Sequence, residues 1–309
     1  VPDATEPMGP AERQERVDLL ARQYPYMPVR TLLPRAQAEA TSLSVAYAGR
    51  WQYLRGAERD LLVTIGWTLL LGACLYQDAG KTARAAHLAA LADSSGREAG
   101  QPAVRAWAAE IRAWQAIIAE DYPTAVVLAR DAADAWPGSS GTVQLRMQQA
   151  MAHAGLGERA AARWCLNEVH RLQAALPATD HPEHHFVVDG RKLSFYAARV
   201  YGLAGDLAPM REAITETLAG AIAADGSSRW PMRVAGVQLE AAIGAARDGQ
   251  LDEAIGLGGA ALKHQRGTAS TLPRAADLER ALRTGWPKEQ KVREYRRLLF
   301  AARQHYAGT

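Results

Sequence analysis

The chain has 309 residues, of which 48% are hydrophobic and 22% charged, so a sizeable core is available, while a formal net charge of +3 is too small to announce nucleic-acid binding by itself. A shortage of β-branched and aromatic runs points away from sheets. The two cysteines, Cys74 and Cys165, lie far apart inside expected helices, which excludes a disulfide framework and suits a reducing, cytoplasmic compartment.

Residues 1–10 carry three prolines and no apolar period, and are expected to form a flexible arm. With no basic start and no apolar segment they do not read as a signal peptide, and the missing initiator Met suits a cut or processed start. Ala11–Gln23, with Val17, Leu19 and Leu20 opposite a charged side, reads as a short amphipathic helix. Tyr24-Pro-Tyr-Met-Pro28 ends it, because proline removes backbone donors and disfavours helix in the residue before it. A long helix from Leu32 to about Leu54 follows, and residues 11–60 together are expected to pack on the remainder of the chain.

Leu61–Ala92 is a helix–turn–helix unit: an apolar run closes at Gln77-Asp78-Ala79-Gly80, and Ala73, Ala85, Ala89 and Ala92 supply small residues where two helices approach closely. The run Leu61–Tyr76 is shorter than the ~20 residues that span a bilayer and is flanked by Arg59, Asp60 and Asp78, so it reads as a buried helix and no membrane association is expected. The unit then recurs. A second copy uses Tyr122, Ala125, Ala129, Ala132 and Pro137; a third uses Ala150, His153, Gly157, Ala162, Leu166 and Val169. A fourth runs through Ala198, Tyr201, Gly205 and Met210, where a large residue replaces a small one, and a fifth through Ala242, Ala245, Gly249, Ala254 and Ala261.

The copies lie roughly 40 residues apart, longer than the ~34 of a tetratricopeptide repeat. The expected fold is therefore all-α: a right-handed tetratricopeptide-like solenoid of about five helix pairs with extra terminal helices, forming one body although the length allows two domains. Repeats one to three occupy 61–175, a loop 176–186, repeats four and five 187–265, and capping helices 266–309. Pro137–Gly141 and Ala224–Pro231 read as loops, and the cap holds a short helix at Arg274–Arg283 and a basic one at Lys288–Tyr306. In such a stack neighbouring repeats touch and distant ones do not.

Several segments taken in order resemble the C-terminal region of actinobacterial XRE-like helix-turn-helix transcriptional regulators. They are YPYMPVRTLLPRA near the start, the unit from Gly66-Trp67 to Gly80, His184–Asp206, Arg229–Gly236 and ARDGQLDEAIGLGGAAL. In that family a small DNA-reading domain precedes a tetratricopeptide-like sensor and dimerisation module. The resemblance implies a regulator's sensing region, a homodimer, and DNA contact only through a helix-turn-helix domain, which this chain does not contain: Ala11–Gln23 has no recognition helix beside it.

The residues themselves advertise little chemistry. Asp180, His181, Glu183, His184 and His185 are the densest metal-capable cluster, but Pro182 interrupts the one H-x-x-H in a loop, so the expectation is a solvated loop and no metal. No P-loop or dinucleotide fingerprint occurs, nothing sets Cys165 or a serine beside a histidine and carboxylate, and neither cofactor nor enzymatic activity is expected. The basic last helix interleaves its charges with Val292, Tyr295, Leu298, Leu299 and Phe300, which reads as an amphipathic cap.

Aligning the turns at Gly80, Glu120, Gly157, Gly205 and Gly249 shows which side chains share the inner wall. These are Trp67, Leu70 and Cys74; Trp107, Glu110 and Trp114; Gln144, Met147 and Met151; Lys192, Phe195 and Arg199; and Arg233. Such a wall holds either a small amphiphilic molecule or short peptide, or residues 11–54 folded across it as core. In the first reading Lys192, Arg199 and Arg233 orient the polar end, with Asp189 and Tyr196 on the same helical face, and Trp67, Trp107, Trp114, Met147, Met151 and Phe195 hold the apolar body. In the structural alternative an Asp189–Arg233 ion pair clamps repeats four and five. A protein–protein scaffold without a small ligand is the second functional reading, and an enzyme with a tetratricopeptide-like body the third.

Overall fold

The structure is a computed structural model that describes residues 8–49, 55–222, 228–264 and 266–308. The described residues form fourteen α-helices joined by turns, a long loop between the eighth and ninth, and one 3-10 turn at Ala269–Thr271; no strand occurs among them beyond an isolated bridge between Ile222 and Ser228. The protein is all-α. In order the helices are α1 (Pro10–Gln23), α2 (Val29–Ala48), α3 (Arg55–Asp78), α4 (Thr82–Glu98), α5 (Pro102–Ile118), α6 (Tyr122–Ala135) and α7 (Ser140–Gly155). They continue with α8 (Arg159–Ala174), α9 (Gly190–Ala204), α10 (Leu207–Ala221), α11 (Pro231–Arg247), α12 (Leu251–Leu262), α13 (Leu272–Gly285) and α14 (Gln290–Gly308). Most of the early arm, the end of the helix read to Leu54 and the first half of the 224–231 loop lie outside the described residues.

The five turns within the helix pairs share one device, which Gly100 before α5 repeats. Gly80, Glu120, Gly157, Gly205 and Gly249 all take left-handed φ angles between 59° and 79°. The next residue then reaches back into the preceding helix: the N–H groups of Lys81, Asp121, Glu158, Asp206 and Gln250 donate to the carbonyls of Tyr76, Ala116, His153, Tyr201 and Ala245 at 2.8–2.9 Å. This is the six-to-one bond of a Schellman ending, which satisfies a carbonyl the helix would otherwise leave open. Glu120 is the one non-glycine residue with positive φ among those described.

Every helix packs on its sequence neighbours, and the odd-numbered ones also pack on each other in a row from α1 to α13. By contrast α4, α6, α8 and α10 have substantial contact only with the helices on either side in sequence. Small residues allow the approach: Ala85, Ala89, Ala125, Ala129 and Ala162 are fully buried. In the fourth unit Met210 is accommodated from across the interface, since a Cβ on Gly244 would come within 2.8 Å of its methyl. The main core runs from Leu20 on α1 to Val237 on α11, and a second cluster from Ala235 to Leu299 ties α11 to α12, α13 and α14.

Three expectations are corrected. Distant parts of the chain do touch: the segment after α12 meets the end of α3, where Arg266 bonds to Asp78, and Gly80 lies against the Tyr306 backbone. The reason is a buried charge on α3 that finds its partner only in that segment. The histidine-rich loop is not fully solvated, because Phe186 and Val188 are buried in the main core and anchor its second half. Finally, the apolar stretch is longer than the run Leu61–Tyr76, since the 22 residues Ala57–Asp78 have the length and composition to cross a membrane; as expected, it is a mostly buried helix.

Candidate functional site

Where α5, α7, α9, α11 and α13 converge, the wall lines a partly open cavity of about 210 Å³. Its sides close with residues that no helical period marks: Tyr24 and Pro25 after α1, Glu183–His185 from the loop, and Arg266, Thr268, Ser270 and Thr271 after α12. From α5 come Trp107, Glu110 and Trp114, one helical face with the Asp121-capped helix α6 starting just beyond. From α7 come Gln144 and Met151, and from α9 Lys192, Phe195, Tyr196 and Arg199. Arg233 opens α11 and Arg274 opens α13.

Eight of the eleven site residues read from the sequence line this cavity: Trp107, Trp114, Met151, Lys192, Phe195, Tyr196, Arg199 and Arg233. Trp67, Met147 and Asp189 do not. Trp67 is covered by Phe186, ring centroids 5.1 Å apart, because the loop from α8 to α9 lies over the inner face of α3. Met147 is buried in the main core, as are Leu70 and Cys74. Asp189 is the N-cap of α9, its Oδ1 accepting from the Lys192 N–H at 2.7 Å, and its Oδ2 accepts from Arg233 Nη2 at 3.4 Å. Of residues 11–54, those described reach α3 through α1, Tyr24 and α2, whose Leu32 and Ala36 join the main core, while the loop from α8 to α9 covers Trp67.

The three cations assigned to a ligand's polar end all have internal partners. Lys192 Nζ donates to the carbonyls of His185 (2.8 Å) and Val187 (3.2 Å) and lies 5.2 Å from the Trp107 ring centre. Burial, with the like charge of Arg233, pushes its pKa down to about 8, against the pull of Glu110 and Asp189. Arg199 Nη1 donates to Glu240 Oε1 at 3.1 Å, and Arg274 grips both oxygens of the same carboxylate. Glu110 accepts from the side-chain amides of Gln144 and Gln148, and burial raises its carboxyl above the usual range. Nearby, burial and the charges of Lys192 and other cations hold His185 well below the ordinary imidazole pKa, so it is neutral at pH 7.

Sequence reasoning missed the pair that closes the cavity. Arg266 Nη2 donates to Asp78 Oδ2 at 2.9 Å, with side chains 1% and 0% exposed, and Tyr24 Oη donates to the same oxygen at 2.6 Å. One signal was available. Asp78 is the last residue of α3, and a carboxylate at a helix C-terminus opposes the helix dipole, so it called for a cationic partner from elsewhere.

Unmet bonding capacity concentrates here. Among the described residues nine buried side-chain polar atoms have no partner, and five of them belong to cavity-lining residues: Asp78 Oδ1, Gln144 Oε1, Arg233 Nη1, Arg266 Nη1 and Ser270 Oγ. Orphans of this kind cost free energy unless something completes them. Neither cysteine is an activated nucleophile: burial pushes the Cys74 thiol far up and that of Cys165 to about 11, leaving both protonated at neutral pH. Of the metal-capable cluster, His181 pairs with Glu183, His184 with Asp18 on α1, and His185 stacks against Tyr24, so the groups diverge. No protein-family model matches the chain, and no curated protein is significantly similar to it.

Proposed function

We propose that this chain is the ligand-sensing and dimerising region of a bacterial transcriptional regulator of the XRE-like kind. On this reading it is built as a right-handed tetratricopeptide-like solenoid and binds a small amphiphilic molecule between its inner helices. Alternation of an inner odd-numbered row with outer even-numbered helices, and the repeated left-handed turn, support the solenoid. The observation that carries the ligand reading is the cavity itself: tryptophan, phenylalanine and methionine side chains beside five unmet polar atoms. Its volume, about 210 Å³, is below the roughly 300–1,000 Å³ of sites for drug-sized ligands, which favours a small molecule over a peptide. A scaffold would need an open inner groove, and Phe186 with its loop fills much of it.

Fluorine NMR with small fluoroaromatic probes, combined with sedimentation velocity, tests the proposal. Expected are probe broadening that a Trp114→Ala variant loses, and a dimer whose dissociation constant shifts with saturating probe. A monomer at all concentrations, or probes that stay sharp at millimolar concentration, would overturn it.

A further inference from the structure

The orphaned atoms of the cavity are of both kinds. Asp78 Oδ1 and Gln144 Oε1 are acceptors without donors; Arg233 Nη1 and Arg266 Nη1 are donors without acceptors; the Ser270 hydroxyl can serve as either. Two of these atoms sit on the two halves of a single ion pair. Asp78 spends Oδ2 on Arg266 and Tyr24 and leaves Oδ1 open, while Arg266 spends Nη2 on Asp78 and Nε on the Tyr24 carbonyl (3.2 Å) and leaves Nη1 open. Both side chains are at least 99% buried, and the Arg266 guanidinium is held over the Tyr24 ring at 4.9 Å, so neither can swing out to water for its missing bond.

We propose, resting on the small-molecule reading above, that the cavity takes an α-amino acid with an apolar side chain. Its ammonium is bound at Asp78 Oδ1, its carboxylate at Arg266 Nη1, and its side chain among Trp107, Trp114, Met151 and Phe195. An α-amino acid carries one cationic donor and one anionic acceptor on a single carbon, and the two open atoms are one acceptor and one donor on the partners of a single ion pair. A simple anion would leave Asp78 Oδ1 unmet and set a second negative charge beside a buried carboxylate. A simple cation would do the reverse at Arg266. A neutral apolar molecule would meet neither atom.

Charge balance selects in the same direction. Around the cavity Arg266 is matched by Asp78, Arg233 by Asp189, and Arg199 with Arg274 by Glu240 and Asp277. Bringing an uncompensated charge into such a site is expensive, whereas a zwitterion adds none. Lys192 and Arg199 then shape the wall and do not grip the head of the ligand, since their bonds are already made, while Arg233 is held by Asp189 through Nη2 and keeps one donor, Nη1, open.

The test is calorimetric titration of the full chain with L-phenylalanine, L-leucine, L-methionine and L-tryptophan, alongside L-phenylalaninamide, N-acetyl-L-phenylalanine and 3-phenylpropionate. At least one amino acid is expected to bind and to raise the melting temperature. For phenylalanine, loss of either charge should weaken binding tenfold or more. If 3-phenylpropionate binds as tightly as phenylalanine, or no amino acid binds while the fluoroaromatic probes do, the zwitterion proposal is overturned and the small-molecule site stands. If the fluoroaromatic probes fail as well, both fall together. Asp78→Asn is expected to abolish amino-acid binding while the probes still bind; should that variant not fold, the analogue series on the parent decides alone.

Discussion

Arg266 and Asp78 lie 188 residues apart, and their side chains meet at 2.9 Å with almost no exposure to solvent. Tyr24 completes the group, its hydroxyl donating to Asp78 and its carbonyl accepting from Arg266 Nε. Three segments with no shared periodicity are thereby pinned together: the turn after α1, the end of α3 and the strap after α12. All of these residues also line the cavity, so the contact that closes the molecule and the one that closes its candidate site are the same.

Breaking this pair from one side should be costly. Arg266→Ala leaves Asp78 buried with only the Tyr24 hydroxyl, and uncompensated buried charges of this kind cost about 3–5 kcal/mol. Replacing both, as Arg266→Met with Asp78→Leu, removes the stranded charge as well and should recover most of that loss. Urea denaturation of the two single variants and the double variant measures the coupling; a double-variant loss equal to the sum of the two single losses would show that the pair contributes nothing specific.

Glu240 ranks its two arginines. Arg274 engages both carboxylate oxygens and is 8% exposed, whereas Arg199 makes one 3.1 Å bond and is 20% exposed. Arg274→Ala should therefore cost about 3 kcal/mol and Arg199→Ala about 1–2 kcal/mol, since Glu240 keeps its bidentate partner in the second case. Melting temperatures of the two variants in one buffer give the order, and a larger loss for Arg199→Ala contradicts it.

The turn positions were readable because a left-handed residue between two helices leaves a local mark, and counting back from it gave the inward faces of α5, α7 and α9. That is how Trp107, Trp114, Lys192 and Phe195 were found. The same count failed at α3, where Trp67, Leu70 and Cys74 face inward but meet Phe186 and Tyr24 before they reach the cavity. Loop segments have no period, so neither the burial of Phe186 nor the approach of Arg266 to Asp78 could be read from spacing. Asp189 and Arg233 were legible as a pair because each sits in the first turn of adjoining helices.

Glu120 holds φ at 59° where the matching turns have glycine. For an L-residue that conformation costs about 1–2 kcal/mol, partly offset by the greater freedom glycine gives the unfolded chain. Glu120→Gly should raise stability by about 0.5–1 kcal/mol. The reverse change at Gly80 should be worse than at the other turns, because a new Cβ would lie 3.3 Å from the Tyr306 carbonyl oxygen as well as at φ 76°. Chemical denaturation of Glu120→Gly and Gly80→Ala reads both effects, and a stabilised Gly80→Ala would show that the turn is not strained.

His185 sets an acid limit on the fold. Its ring lies 3.9 Å from that of Tyr24 and 5.0 Å from that of Phe186, and burial together with Lys192 holds its pKa well below the ordinary 6.5. Below the unfolded value the unfolded chain takes up a proton that the folded ring refuses. Stability must then fall as pH drops, by at most about 1.4 kcal/mol per pH unit for one proton, until the depressed folded pKa is reached. Asp78 and Glu110 have raised pKa values and act with the opposite sign, gaining relative stability as the pH falls through the carboxylate range, so the total profile mixes the two. A comparison with His185→Phe isolates the histidine, because the variant keeps an aromatic ring and both carboxylates but cannot titrate at that position. The parent should lose stability relative to His185→Phe between pH 6.5 and 5, and the two should run parallel above pH 7. Parallel curves throughout, measured by urea denaturation across that range, would mean that the ring accepts its proton inside the folded protein.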